Sequence, residues 1–156
     1  MKTKRHRDGR ALHVLDIEYL SGGTSNHQPD AVRCTLHRFE DAAQRREGDH
    51  AIGAASHWYY ARTLFECCDH MRYLPAGGGP DAADLRLLAE VDPTWVADHY
   101  DRVVLGSGDH IFEDLVIDLR GSKVRTWVVG YRHNMSRRLV EAADEVHFID
   151  DHMLAA

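Results

Sequence analysis

Asp16 closes a short apolar run, Ala11-Leu12-His13-Val14-Leu15, and Ser107-Gly108-Asp109 directly follows another, Arg102-Val103-Val104-Leu105-Gly106. In an open parallel sheet, ligands bind where the loops leave the carboxyl ends of the strands. Acids just after strands are therefore the residues to read for chemistry. If these two strands are neighbours, Asp16 and Asp109 meet at one rim. Carboxylates that meet repel one another unless a cation lies between them, and hard oxygen donors suit Mg²⁺ or Mn²⁺. Such an ion polarises a phosphodiester and lowers the pKa of a bound water, the chemistry of a metal-dependent nuclease.

Each acid also has a local use. Asp16 could accept hydrogen bonds from its own loop, although an acid that ends an apolar strand costs desolvation. Asp109 is placed to cap a helix before Phe112. Asp81 and Asp84 fall at N-cap and first-turn positions, where the helix dipole stabilises them without a ligand. Spacing favours Asp84 over Asp81 as a site residue. Glu18, two residues after Asp16, is a possible accessory, as are Ser107, His110, Glu113 and Asp114 around the second run. The case rests on convergence.

The elements that must position these residues read as alternating strands and helices. Strands are expected at 11–16, 51–55, 71–75, 102–106, 124–129 and 146–149. Helices are expected behind Pro29-Asp30 (29–46), after Ser56 (through Cys68), from Asp81 to a break near Pro93 and resuming through Val96, around Phe112 to Gly121, and over 136–143. The helix after Asp81 is expected to turn Leu85, Leu88 and Val91 inward. This alternation predicts βαβ units and a mainly parallel sheet covered on both faces, a three-layer α/β/α domain. One domain over 11–150 suits the 156 residues, with a basic arm at 1–10 and a tail at 151–156.

Composition narrows the class. With 44% hydrophobic and 28% charged residues the chain is not disordered, and no apolar run approaches the roughly 20 residues of a membrane helix. Three cysteines make no disulfide framework, so a reduced, cytoplasmic protein is expected, with no membrane partner. The net charge of −6 disfavours general binding of a polyanion. Basic residues are nevertheless unevenly placed: five in 1–10 against Asp8, and Arg132, Arg137 and Arg138 in 131–140 with no acid. Solvated charge is their default; a track for RNA is the sharper use. The twelve histidines lack zinc-site spacing. Gly77-Gly78-Gly79 lacks the Lys-Ser/Thr of a P-loop, and no G-x-S-x-G elbow is present. Trp58, Tyr59 and Tyr60 suit packing or a dimer interface better than base stacking.

The segment Val14-Leu15-Asp16-Ile17-Glu18-Tyr19-Leu20 resembles the opening strand of NYN domains, a branch of the PIN-like ribonuclease superfamily, where an apolar run precedes D-x-x-N. Tyr100 to Phe112, with Ser107-Gly108-Asp109, resembles the family's S-G-D-x-D-F signature, and Gly79 to Leu85 resembles its middle acidic motif with Asp84 at the acid. The likeness continues through Leu119-Arg120-Gly121, the following strand, and Ser136 to Asp144, and so spans nearly the whole chain. It implies a PIN-like α/β/α fold in which Asp16, Asp84 and Asp109 bind Mg²⁺ or Mn²⁺ and the enzyme cleaves RNA. Two positions depart from the pattern: Tyr19 replaces the usual Asn, and Ile111 stands where many members carry a second acid. These departures leave open an alternative, a catalytically decayed RNA-binding or protein-interaction module. A phosphatase-like hydrolase is weaker, because Asp16-Ile17-Glu18 puts Glu where its D-x-D motif needs Asp.

Overall fold

The computed structural model describes residues 9–22, 28–56, 58–67 and 70–153. Most of the basic arm (1–8), the end of the tail (154–156) and the side chains of Trp58 and Tyr59 lie outside the described residues.

Six strands form one sheet: β1 (Ala11–Asp16), β2 (His50–Ala55), β3 (Met71–Pro75), β4 (Arg102–Gly106), β5 (Arg125–Gly130) and β6 (Glu145–Phe148). Every pairing is parallel and the order is β3-β2-β1-β4-β5-β6. The order reverses between β1 and β4, where such sheets open a crevice at their carboxyl ends. Asp16 and the loop after Gly106 border that crevice, with Leu15 level with Gly106.

Helices cover both faces. On one side lie α1 (Ile17–Leu20), α2 (Pro29–Ala43), α3 (Trp58–Cys67) and α8 (Asp150–Met153). On the other lie α4 (Ala82–Glu90), α5 (Pro93–His99), α6 (Glu113–Gly121) and α7 (Arg137–Ala142). Two apolar clusters sandwich the sheet, and β1 feeds them alternately: Leu12 and Val14 pack toward α4–α7, Ala11 and Leu15 toward α1–α3. Period two then aims Asp16 toward the α4 side. None of the helices among the described residues is long and apolar enough to cross a membrane.

The expected elements form with boundary shifts of a few residues, and Asp150 to Met153 adds a helix where a tail was expected to begin. The phase of α4 is corrected. Its buried residues are Ala83, Asp84 and Leu87, while Leu85 is 57% exposed. Leu88 is half-buried and Val91 buried, so the helix is turned to carry Asp84 inward. A local apolar count cannot see this, because it scores Asp84 as outward.

At the other end of β1, His13 is buried and its Nε2 lies 3.1 Å from Asp49 Oδ2. Burial lowers the imidazole pKa, outweighing the Asp49 carboxylate that raises it. Burial by itself would raise Asp49, but the N–H groups of Ala11 and Arg46 and the His13 ring hold it below the usual carboxylate range. Both native pKa values lie below their unfolded ones, so the unfolded chain binds more protons in acid. The His13 contribution is complete above pH 6.5 and is lost as pH falls further; the Asp49 contribution follows below 3.8. Thermal melts followed by circular dichroism are expected to show the wild-type midpoint shifting downward relative to that of His13→Phe as pH falls from 7 to 5. An identical slope in the variant would remove His13 as the cause.

Candidate metal centre

The crevice between β1 and β4 gathers four carboxylates from three places in the sequence. Asp16 ends β1, Asp109 follows β4, and Asp81 and Asp84 come from the start of α4. One oxygen each from Asp81, Asp84 and Asp109 lies within 4.8 Å of the others, the one such acidic group among the described residues. Asp16 joins through Asp84, with which it shares a hydrogen bond.

The supports of these acids are short and local. Asp16 Oδ1 accepts from Tyr19 N at 3.2 Å, which makes Asp16 the cap of α1. Its Oδ2 accepts from the Ser107 hydroxyl at 3.1 Å, and that hydroxyl accepts from Asp109 N at 3.3 Å. Fully buried Ser107 is thus a strut fixing Asp16 against Asp109 across the switch point. Asp109 Oδ1 accepts from Ile111 N at 3.0 Å and caps the 3-10 turn His110–Phe112. The capping and clustering uses of Asp109 coexist. Asp81 occupies the N-cap of α4 with φ +59°, but its carboxylate caps nothing and turns to the cluster instead.

The electrostatics are those of like charges held together. Burial, and then the charge and hydrogen bond of Asp16 and the charges of Asp109 and Asp81, push Asp84 up to about 8. Burial raises Asp16 as well, against the hydrogen bonds from Tyr19 N–H, from Asp84 and from Ser107. At neutral pH the Asp16–Asp84 pair retains a proton, as closely placed carboxylates do without a counter-charge. A divalent cation would displace that proton and relieve the repulsion. The donor set is all hard oxygen, which fits Mg²⁺ or Mn²⁺. The 4.8 Å spread slightly exceeds the ~4.2 Å between opposite ligands of Mg²⁺, so part of the set would reach an ion through water or after a small contraction.

The accessory residues have varied surroundings. Glu18 accepts from Ser56 N, tying α1 to the end of β2, and borders a cavity of about 360 Å³ beside Asp16 and Asp84. His110 is exposed, its Nδ1 3.5 Å from Asp109 Oδ1. Glu113 faces Arg138 at 3.8 Å, and Asp114 is exposed. Ile111 packs against the apolar core rather than the acids. The three arginines of 131–140 meet acids from elsewhere or one turn on: Arg132 with Asp151 (2.9 Å), Arg137 with Glu141 (2.8 Å) and Arg138 with Glu113.

In the sequence Asp81 is a weaker site residue than Asp84, and Tyr19 is only a departure from the expected Asn. The Tyr19 hydroxyl donates to Asn134 O (2.6 Å) and accepts from Tyr131 N (2.9 Å). Burial first, and then neighbouring negative groups, push its pKa up to about 12, so it remains a donor. The phenol lies against Gly108 and Gly130, stapling the ends of β1, β4 and β5. The signal is present as two glycines, Gly130 at the end of β5 and Gly108 just past β4, each a place where something large comes close.

The family model of the NYN domain matches residues 32–150. That span includes Asp81, Asp84 and Asp109 and begins after β1, so the placement of Asp16 rests on the geometry above. A solved structure of a protein of unknown function from Vibrio parahaemolyticus superposes with a TM-score of 0.62 at 21% identity, covering 97% of this chain and 98% of that one. At that identity it carries the fold alone. No curated protein matches the chain.

Proposed function

The chain belongs to the NYN domain family, and from that premise we propose that it is a divalent-metal-dependent endoribonuclease acting at the acidic rim. The observation that carries this reading is the grouping of Asp81, Asp84 and Asp109, with Asp16 held behind Asp84, at the switch point of a PIN-like sheet. Asp81, Asp84 and Asp109 would hold Mg²⁺ or Mn²⁺, with Asp16 as a direct or water-bridged fourth. When bound, the ion polarises the phosphodiester and lowers the pKa of an attacking water.

The protein's own groups supply position and charge. Ser107 fixes Asp16, and the Ile111 N–H fixes one oxygen of Asp109, so neither carboxylate must be ordered during the reaction. Asp84 gives up its shared proton as the cation enters, which makes metal affinity rise with pH through neutrality. The acid missing at Ile111 is made good from α4: Asp81 brings a carboxylate to the same cluster from a position the family's second motif does not contain. Expression in the cytoplasm agrees with the cysteine usage.

The test is cleavage of a labelled single-stranded RNA in Mn²⁺ or Mg²⁺ by the wild-type protein, Asp16→Asn and Asp109→Asn. A fall of about a hundredfold or more is expected for Asp109→Asn, and about ten- to a hundredfold for Asp16→Asn. Equal rates in all three would remove the rim as the site. RNA binding by the wild-type protein that is indifferent to metal and gives no cleavage would favour the non-catalytic module.

A further inference from the structure

An acidic rim repels the polyanion it is meant to cut, so a cation close by must hold the strand. Arg132, Arg137 and Arg138 are engaged by carboxylates. Next to the acidic cavity lies a second one of about 510 Å³, and the two share Glu18 and Tyr19 as a common wall. Its lining includes Arg38 on α2, Ser21 after α1, and Tyr131, His133 and Asn134 after β5. Arg38 is exposed and, among the described residues, has no carboxylate partner.

Two further observations point to a ligand. The Ser21 hydroxyl is buried, on a residue only 5% exposed, and has no hydrogen-bond partner among the described residues. An unmet buried hydroxyl costs stability unless something else meets it. The Tyr131 and His133 rings lie 5.6 Å apart, tilted by 34°, and His133 is exposed. Tyr131 is locked by its hydroxyl to Leu20 O at 2.6 Å, so its ring offers a fixed surface. A cation, aromatic faces and an unsatisfied hydroxyl are what a single nucleotide needs: a phosphate partner, a stacking platform and a sugar or base contact.

We propose that Arg38, Tyr131, His133 and Ser21 form a nucleotide subsite that holds the residue of single-stranded RNA next to the phosphate at the acidic rim. This rests on the ribonuclease reading. Arg38 pairs with a backbone phosphate, a base stacks on His133 and Tyr131, and the Ser21 hydroxyl hydrogen-bonds the nucleotide.

The probe is a fluorescent single-stranded oligoribonucleotide titrated into Asp109→Asn protein, so that binding is read without cleavage. Adding Arg38→Ala or His133→Ala is expected to weaken binding about tenfold, and Ser21→Ala about fivefold. Arg33→Ala, on the same helix but paired with Asp30 at 2.9 Å, is expected to leave binding unchanged. The Mn²⁺-induced rise in melting temperature, measured in the otherwise wild-type background, should survive Arg38→Ala and His133→Ala. If the wild-type protein binds and cleaves RNA while both substitutions leave affinity unchanged, the subsite is wrong and the nuclease reading stands. If the wild-type protein neither binds nor cleaves RNA with metal, the nuclease reading fails and the subsite with it.

Discussion

At pH 8 without added metal, Asp84→Asn is expected to melt above the wild-type protein, and with Mn²⁺ to cleave RNA about a hundredfold more slowly or worse. The side chain is 8% exposed, and burial together with Asp16, Asp109 and Asp81 pushes its pKa up to about 8. A carboxyl with a native pKa above its unfolded value of 3.8 binds more protons when folded. Its stabilising contribution is complete below pH 3.8 and is lost as pH rises toward and through 8. The asparagine amide donates to Asp16 as the protonated carboxyl does, with no charge to confine. The gain should be about 1–3 kcal/mol, or roughly 3–8 °C, for a chain of this size. Mn²⁺ should reverse the ranking, because binding to the folded state alone stabilises the wild-type protein and leaves the variant behind. Melts at pH 5 and pH 8, with and without Mn²⁺, give the answer. A variant no more stable than wild type at pH 8 would mean that the cluster is not strained by its own charge.

Among the described glycines, Gly108→Ala is expected to be the most damaging added methyl. A Cβ at that position would stand 2.1 Å from the backbone oxygen of Asn134 and 2.6 Å from the Tyr19 hydroxyl. The first neighbour is main chain and cannot swing aside, and the segment is further fixed by Ser136 N donating to Gly108 O at 2.9 Å. Forcing the loops apart should cost about 3 kcal/mol or more and displace Asp109, its neighbour in sequence, so that stability and metal affinity fall together. Tyr19→Phe removes the same staple more gently, leaving Asn134 O and Tyr131 N without their partner, at about 1–3 kcal/mol. Gly121→Ala is the control: nothing lies within 4 Å of its would-be Cβ, and it should be neutral or slightly stabilising. Denaturant unfolding of the three variants, with Mn²⁺ titration by calorimetry, would check the series. A wild-type-like Gly108→Ala would mean that Tyr19 does not staple the rim.

What could be read from the chain follows from its short periods. Alternation in β1 sends Leu12, Val14 and then Asp16 to one face, so an acid at the end of that apolar run is aimed toward α4 by local geometry. The order of strands and helices fixed the layers in the same way, and Ser107-Gly108-Asp109 after a strand marked the second acid. The helix phase of α4 was not legible, because Leu85 scores as core by composition yet is exposed, while Asp84 is buried. Asp81 looked like an ordinary cap, and only its left-handed backbone and uncommitted carboxylate bring it to the cluster.

By itself, then, the sequence determined the architecture and the two strand-end acids, since both depend on neighbours two to four residues apart. Tertiary structure decided what meets across long separations. Asp151 and Glu113 reach Arg132 and Arg138, Tyr19 lies between Gly108 and Gly130, and Asp81 stands beside Asp109. Charge pairing and close packing depend on distance in space, which the folded sheet sets by joining β1 to β4 across about ninety residues of intervening chain.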